Sequence, residues 1–318
     1  MPIPGGKPFH VLRDLKDKEG NPLPNRAAFR GKLAENKILL HADPGYVSRL
    51  RSAARSEAEL KAWMHGDWNI VAGGMFDDVW DEEVHVWEHL PWDHVPYTWR
   101  IDRSFDWGSS KPFSVGWWAE SDGSDIVLPD GEVKSTIRGD LIRVQEWYGW
   151  TGTPNEGVKA LAKDVAKGIR EREHAWGILD RVKPGVADSS IFDVENGTGI
   201  AMDMARKVRL NSGQVLPGVK WNRADKRPGS RKQGWERIRE MLKNAKRGPE
   251  DEPREFPGLF VTAACRQFLR TFPVLTRSDK DMDDVNTETE DHIADETRYR
   301  VRASGQRVGS GRHTGMTS

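Results

Sequence analysis

Aromatic and β-branched residues concentrate in three stretches of the chain, a pattern that predicts β-strands. These stretches run from Tyr97 to about Gly108, from Phe113 to Ala119 and from Asp140 to Tyr148. The sequence WGSSKP, between the first two stretches, contains the residues that turns favour. The pattern therefore predicts two strands joined by a tight turn, followed by a third strand.

Helical spacing of apolar residues follows these strands. Val158, Leu161, Val165 and Ile169 form one apolar stripe, which predicts an amphipathic helix over Glu156–Glu173. Further strands and helices alternate beyond it. The predicted elements are a strand at Val182–Ala187, helices at Gly199–Leu210 and Ser230–Ala245, a strand at Leu259–Thr262, and helices at Ala263–Phe272 and Glu288–Val301.

Strands followed by alternating strands and helices predict a mixed α/β domain over residues 96–303. Residues 1–95 are expected to form a small irregular and helical N-terminal segment. It includes one short helical pattern, SEAELKAWMHGDW, that starts at Ser56. Residues 304–318 are rich in Gly, Ser and Arg, a composition that predicts disorder.

Composition excludes two classes of protein. The single cysteine, Cys265, has no intrachain partner, so the chain is not a disulfide-stabilised scaffold. No apolar run approaches the ~20 residues that a membrane-spanning helix needs. The N-terminal sequence MPIPGGKPFH also lacks the apolar segment of a signal peptide. We therefore expect a soluble, intracellular protein.

The formal net charge of zero hides two blocks of opposite sign. Residues 220–247 contain eleven Lys and Arg against three acids, a net charge of +8. Residues 279–296 contain nine Asp and Glu against one Lys, a net charge of −8. Either block alone is typical of a solvated face. Together they suggest a polyanionic substrate, held by the basic block, and a divalent cation among the carboxylates.

Several aspartates stand where a strand or helix could direct them into a cleft. Asp106 ends the first predicted strand just before a glycine, and Asp102 shares its face by period-two alternation. Asp188 ends a later strand. Asp291 and Asp295 stand four residues apart and share one face of the last helix, although like charges at this spacing are unfavourable. Each of them alone could equally cap a turn or a helix, or could lie on a solvated face.

Carboxylates from two strands and one helix form the kind of oxygen site that Mg²⁺ or Mn²⁺ prefers. Two such ions can stabilise the attacking and leaving oxygens of a phosphoryl displacement. The sequence contains no HExxH or CxxC pattern for zinc and no GxxxxGK[ST] phosphate loop, so ATP hydrolysis is not expected. His292 could assist proton transfer beside Asp291, or could be structural.

Four segments resemble one known family in their order and spacing. They are FDWGSSKPFSVGWWA, GVADSSIF, KWNRADKRPGSRKQGWERIREML and EDHIADETRY. They are similar to segments of the C-terminal nuclease domain of tailed-phage terminase large subunits. A fifth segment, LKAWMHGDWNIVAGGMF, resembles the link between that family's ATPase and nuclease.

The resemblance implies a ribonuclease H-like fold that cleaves double-stranded phage DNA concatemers during genome packaging, using two ions of Mg²⁺ or Mn²⁺. It implies Asp106, Asp188 and Asp291 as catalytic metal ligands, with Asp295 supporting them. Asp102 is the competitor to Asp106. Glu146 matches a recurrent acidic position without an assigned role.

The resemblance also implies partners. Arg223, Arg231 and Lys232 would lie along bound DNA. The portal protein, the terminase small subunit and an ATPase would be the protein partners, in the host bacterial cytoplasm. Because family members carry an ATPase before the nuclease, the chain would be a fragment, a split gene product or a remnant, and translocation cannot be assigned to it.

Two alternatives remain open. Another ribonuclease H-like nuclease, such as a junction resolvase or an integrase-type enzyme, would use similar carboxylates. A prophage remnant that has lost catalysis would retain only DNA binding or docking to a motor. Cleavage of plain and branched DNA, and salt-sensitive binding without cleavage, distinguish these alternatives.

Overall fold

A computed structural model describes residues 10–12, 21, 26–28, 31–53, 60, 63–65, 74–194, 198–248 and 252–305. The chain forms two units, divided between Asp78 and Val79. In the first unit, β1 (His10–Leu12) pairs antiparallel with β2 (Arg26–Ala28), and α1 (Lys37–Ala42) and α2 (Tyr46–Ala53) follow. The helix predicted from Ser56 lies mostly outside the described residues, as does most of the tail predicted to be disordered. The predicted domain limits at residues 95 and 303 stay predictions.

The second unit is built on a seven-stranded mixed sheet. The strands of this unit are β3 (Val86–Trp87), β4 (Arg100–Asp106), β5 (Ser114–Glu120), β6 (Ile126–Val127), β7 (Val133–Lys134), β8 (Leu141–Tyr148), β9 (Gly185–Ala187), β10 (Val208–Arg209), β11 (Val215–Leu216), β12 (Trp221–Arg223) and β13 (Leu259–Thr262). β6 pairs with β7, and β10 pairs with β11, as two separate antiparallel ribbons. The other seven strands form the sheet, in the order β12-β9-β4-β5-β8-β13-β3.

The direction of the strands identifies the fold class. β4, β5 and β8 are antiparallel neighbours, whereas β9 and β12 continue the sheet parallel to β4. Numbered by their appearance, these five strands have the order 3-2-1-4-5 with an antiparallel second strand, which is the ribonuclease H-like arrangement. The predicted α/β class, a mixed sheet flanked by helices, is confirmed.

The helices of this unit cover both faces of the sheet. They are α3 (Glu82–His85), α4 (Ala162–Ala175), α5 (Ile200–Ala205), α6 (Ser230–Asn244), α7 (Arg266–Thr271) and α8 (His292–Gly305). The buried residues of α4 join the apolar core on the face that carries Phe105 and Trp117. α8 packs on the opposite face, across β4, β5 and β9, and α6 packs against α8. No helix among the described residues is both long and apolar enough to cross a membrane.

The three strands predicted in the first half of the domain are confirmed, but the helix predicted over Glu156–Glu173 is wrong in its first six residues. α4 begins at Ala162, and Val158 and Leu161 are exposed rather than part of its apolar stripe. Lys159 has a left-handed backbone with φ of 54°, which an α-helix cannot contain. The segment before α4 instead hydrogen-bonds to the β4–β5 turn, for example from the N–H of Gly157 to the carbonyl of Ser110 at 2.8 Å.

Two other predicted helices have different limits. The helix predicted over Gly199–Leu210 ends at Ala205, because β10 and β11 form a ribbon around Gly213, whose φ is 88°. The last helix begins at His292 rather than Glu288, since the preceding residues form hydrogen-bonded turns. Asp291 therefore stands directly before α8 rather than inside it.

Candidate functional site

Two of the predicted aspartates lie side by side at the end of the sheet. β4 ends at Asp106, and its parallel neighbour β9 ends one residue before Asp188. The N–H of Asp188 donates to the carbonyl of Phe105 at 3.0 Å. This approach needs a glycine, because a Cβ on Gly185 would lie 1.5 Å from the carbonyl oxygen of Arg103. The sequence of β9 thus brings Asp188 next to the end of β4.

α8 brings two more carboxylates to the same edge. Asp291 directly precedes α8 and Asp295 lies in its first turn. The Tyr299 hydroxyl, on the next turn, donates to Asp188 Oδ2 at 2.6 Å and fixes the helix against β9. Asp295 and Asp188 both act electrostatically on Asp106. Asp106 therefore lies within electrostatic reach of Asp188 and Asp295, and Asp291 lies within reach of Asp295, although these residues are far apart in the sequence. These four residues are called the acid cluster.

Burial makes two of these carboxylates hard to ionise. Asp106 is 7% exposed, and burial, with the charges of Asp295 and Asp188 adding to it, raises its pKa to about 7 against the opposing effect of His292. Burial and the charge of Asp295 raise the pKa of Asp291 to about 6. The cluster is thus electrostatically unfavourable unless it binds a proton or a cation.

Asp188 differs because it has donors of its own. Burial acts to raise its pKa, but hydrogen bonds from Lys226, Tyr299 and Ser190 outweigh burial and hold the pKa at about 2. The Lys226 ammonium lies 2.8 Å from Asp188 Oδ1, and the N–H of Ser190 lies 2.6 Å from the same oxygen. Asp188 is therefore ionised in the folded protein.

His292 lies between the acid cluster and a neighbouring segment. Its Nδ1 is 3.5 Å from Asp106 Oδ2, and its Nε2 is 3.0 Å from the side-chain oxygen of Asn155. Burial acts to lower the pKa of His292, but Asp106 and the charges of Asp291 and Asp295 raise it above its ordinary value. The ring can thus exchange a proton with Asp106.

Arg231, on α6, reaches three carboxylates at once. Its guanidinium donates to Asp284 at 2.8 Å and to Asp295 at 2.9 Å, and one nitrogen lies 3.5 Å from Asp291. Burial acts to lower the pKa of Arg231, but Asp295 and Asp284 raise it overall. Arg231 was predicted to lie along DNA, and in this structure it neutralises the acid cluster.

The donor set of the cluster fits a hard divalent cation, since carboxylate oxygens are the ligands that Mg²⁺ and Mn²⁺ prefer. Burial and the neighbouring acids raise the pKa values of Asp106 and Asp291, and a bound cation would oppose both effects. Within the part of the chain that the structure describes, however, no three His, Cys, Asp or Glu side chains are grouped closely enough to hold one ion. Two protein cations lie against other members of the cluster or share them: Lys226 pairs with Asp188, and Arg231 lies beside Asp291 and Asp295.

The other two predicted DNA-binding residues differ in their surroundings. Lys232 is half-exposed, and its ammonium lies 2.7 Å from Asp281. Arg223 is more exposed: it ends β12, next to β9, and its guanidinium lies over the ring of Phe192 at 4.9 Å. Of the three residues predicted to bind DNA, Arg223 thus has the weakest partners within the protein: a carbonyl at 3.3 Å and Asp193 at 3.8 Å.

The two alternative acids occupy other positions. Asp102 is fully buried on β4, where it accepts from Arg300 at 2.6 Å and Arg100 at 2.7 Å. Glu146, on β8, accepts the N–H groups of Gln267 and Phe268 at the start of α7. Asp102 thus fixes α8 to the sheet, and Glu146 caps α7.

Sequence reasoning did not identify three residues that contact the cluster. Tyr299 stands eight residues after Asp291, two helical turns along the same face, so its spacing was a usable signal. Lys226 lies within the basic block, where nothing distinguishes it from its neighbours. Asn155 directly precedes the helix predicted from Glu156, and no sequence pattern links it to His292.

Comparisons with known proteins found matches among solved structures. No protein-family model and no curated protein sequence matches the chain. The large terminase of a thermophilic bacteriophage is similar over 81% of this chain and 50% of its own, with a TM-score of 0.47 and 15% identity. The nuclease domain of the P22 large terminase is similar over 73% of this chain and 93% of its own, with a TM-score of 0.43 and 16% identity. The chain thus spans about half the length of the thermophilic phage's terminase.

Proposed function

We propose that this chain is an endonuclease that hydrolyses double-stranded DNA with Mg²⁺ or Mn²⁺, two ions being expected. The observation that carries the proposal is the burial of Asp106, at the end of β4, within electrostatic reach of Asp188 and Asp295, with Asp291 in turn acted on by Asp295. A stable fold has no need of such a cluster, because like charges in a buried place destabilise one another. A metal-dependent phosphodiesterase does need one.

The residues of the site have separate roles in this proposal. Bound Mg²⁺ or Mn²⁺ would polarise the scissile phosphate and supply a water of lowered pKa as the nucleophile. Asp106, Asp188 and Asp291 would hold the ions, and Asp295 would support Asp291. His292 would hold or release a proton at Nδ1, beside Asp106. No cysteine or serine nucleophile is required.

The basic residues would bind the DNA backbone. Arg223 stands at the exposed end of β12, beside the strand that leads to Asp188. Arg231 and Lys232 would exchange their carboxylate partners for phosphates or for a cation in the cluster. Phosphate contacts position a duplex without reading its bases, so we expect weak sequence preference.

The biological setting follows from the sequence resemblance. The chain would cut phage DNA concatemers during genome packaging, in the host bacterial cytoplasm. Its partners would be the portal protein, the terminase small subunit and an ATPase supplied by another chain or by a region not included in this sequence.

Plasmid cleavage tests this function. We expect the purified chain to convert supercoiled plasmid to linear DNA in millimolar Mn²⁺, at many sites, and to be inactive in EDTA. A strong preference for four-way junctions over plain duplex would indicate a resolvase instead. Salt-sensitive DNA binding without cleavage in any metal would indicate an inert binding or docking module.

Removal of Arg231 tests whether the acid cluster needs a cation. The Arg231→Met variant is expected to lose about 1–3 kcal/mol of unfolding free energy without metal, because three carboxylates lose a partly buried partner. Mn²⁺ should then stabilise the variant more than the unaltered protein. Urea unfolding with and without Mn²⁺ measures both effects.

Lys232→Met is the matched control, since Lys232 is the next residue on α6 and its acidic partners lie at the surface. We expect a much smaller loss than in Arg231→Met and no added effect of Mn²⁺. Equal responses of the two variants would contradict a cation site at Asp291 and Asp295.

A further inference from the structure

The segment between β8 and α4, residues 151–159, is closely fixed beside the acid cluster. It contains the non-glycine residues with positive φ among those that the structure describes, Asn155 at 60° and Lys159 at 54°. The N–H of Lys159 donates to the carbonyl of Ser109, and Thr151 and Glu156 are joined by backbone and side-chain hydrogen bonds. The segment is thus attached to the turn that follows Asp106.

Asn155 connects this segment to α8 through two different groups. Its side-chain oxygen accepts from Nε2 of His292 at 3.0 Å. Its backbone N–H donates to the carboxylate of Glu290, which Arg270 holds at 2.6 Å and the Tyr148 hydroxyl at 3.2 Å. Asn155 is therefore held against the start of α8 independently of its contact with the histidine.

The contact with Asn155 determines which way the imidazole ring faces. The ring torsion of histidine is broad and roughly two-fold, so the hydrogen-bond partners of the two ring nitrogens select its orientation. When Nε2 donates to Asn155, Nδ1 is directed towards Asp106. The partner of one ring nitrogen thus fixes the direction of the other.

The left-handed backbone at position 155 does not by itself explain why the residue there is asparagine. Glycine adopts φ of 60° without steric strain, and asparagine is among the few other residues that tolerate it. The amide adds an acceptor that glycine lacks, and this acceptor points at a ring that is mostly buried beside Asp106. The side chain therefore has a partner that a simple turn would not require.

We propose that Asn155 is a positioning residue of the site: it holds the His292 ring so that Nδ1 faces Asp106. The predicted effect of Asn155 on the rate of DNA cleavage rests on the proposed nuclease function. Its effect on the ring does not depend on that function. Asn155 would act through His292 and would not contact DNA.

Asn155→Gly is the decisive variant, because it removes the amide and keeps the left-handed backbone. In metal-free protein at one fixed pH, long-range proton–nitrogen spectra of the imidazole rings should show an Nε2–H of His292 that its hydrogen bond to Asn155 protects from exchange with water. The His292→Gln variant identifies its signals among those of the nine histidines. In Asn155→Gly this protection should be lost and the His292 signals should move, and the kcat of plasmid cleavage should fall about tenfold or more with little change in KM.

Two further variants separate positioning from general stability. Asn155→Asp retains the acceptor oxygen and the backbone preference, so it should retain the His292 signals and most of kcat. Lys159→Gly makes the same kind of backbone change at the other left-handed residue and should alter neither the His292 signals nor kcat. Unchanged signals and kcat in Asn155→Gly, or equal losses in Asn155→Gly and Lys159→Gly, would overturn the inference. If the unaltered protein does not cleave DNA, the proposed function fails, and the spectra alone decide whether Asn155 holds the ring.

Discussion

The Asp106→Asn variant is expected to lose metal-dependent cleavage by about a thousandfold or more and yet to be more stable than the unaltered protein. The loss follows because an amide cannot replace a buried carboxylate as a ligand of a hard cation. The gain in stability follows because the carboxylate lies among other acids in a buried place. A residue selected for stability alone would not show this pair of effects.

The pH dependence of stability shows why Asp106→Asn should stabilise the protein rather than destabilise it. The folded-state pKa of Asp106 is about 7, above the ordinary value of 3.8. The unfolded chain therefore releases this proton at lower pH than the folded one, and the folded state loses stability as the pH rises from about 4 to about 7. Asparagine stays neutral throughout, so the variant should gain about 1–3 kcal/mol at pH 8 and nothing below pH 4.

Asp102→Asn is the matched control, because Asp102 lies on the same strand and the same face, four residues earlier. Its carboxylate is paired with the buried Arg300, so its removal is expected to destabilise the fold by about 3–5 kcal/mol. Thermal and urea unfolding at pH 4 and pH 8, without metal, measure both variants. If Asp106→Asn cleaves at the normal rate, or is destabilised as Asp102→Asn is, Asp106 is not a metal ligand.

The strands of the sheet were predictable because their local sequence carries the signal. β5 is rich in large apolar residues, and β13 was predicted at its exact limits. The sequence of β4, RIDRSFD, is polar at every second position and suggests one solvated face. In the structure both faces are buried, because α8 supplies partners for Asp102 and Ser104. Those partners lie almost 200 residues later, and no local pattern reveals them.

The acids of the site were predictable because each stands at a strand end or at helical spacing. The cations were not, since Lys226 and Arg231 belong to a run of basic residues in which every member suits phosphate equally well. In the structure they differ from the rest of the run because they lie against carboxylates of the site, Lys226 against Asp188 and Arg231 against Asp291. The left-handed backbone at Lys159 had no signal either, because the apolar spacing of Val158 and Leu161 favours a helix.

The Glu296→Met variant is expected to lose about 3–5 kcal/mol of unfolding free energy, a loss as large as the one expected for Asp102→Asn. Glu296 projects from α8 to the centre of the sheet and is fully buried. Its carboxylate accepts from Ser114 at 3.1 Å, from Trp118 at 3.2 Å and from Ser104, and it pairs with Arg143. Removal of the carboxylate leaves the hydroxyls of Ser104 and Ser114 without this acceptor and leaves the buried Arg143 guanidinium with only the longer contact to Glu146, at 3.6 Å.

A glycine provides the space for this ion pair. A Cβ on Gly116 would lie 2.3 Å from Arg143 and 2.5 Å from Glu296, so only glycine on β5 allows the two side chains to meet beside the strand. The pair is therefore built into the sheet, and α8, which brings Asp291 and Asp295 to the site, is fixed through it. Loss of Glu296 should consequently lower both stability and cleavage.

A double-mutant cycle with Arg143→Met shows whether the loss comes from the ion pair. Either single variant leaves one buried charge without its nearest partner, since only the longer contact of Arg143 with Glu146 persists, whereas the double variant removes both charges of the pair. We therefore expect the double variant to be more stable than the sum of the two single losses predicts, by about 2 kcal/mol or more. Glu236→Met, at an exposed position on α6, is the control and should change stability by at most about 0.5 kcal/mol. Additive losses in the cycle would show that Glu296 and Arg143 stabilise the fold independently and that α8 is held by other contacts.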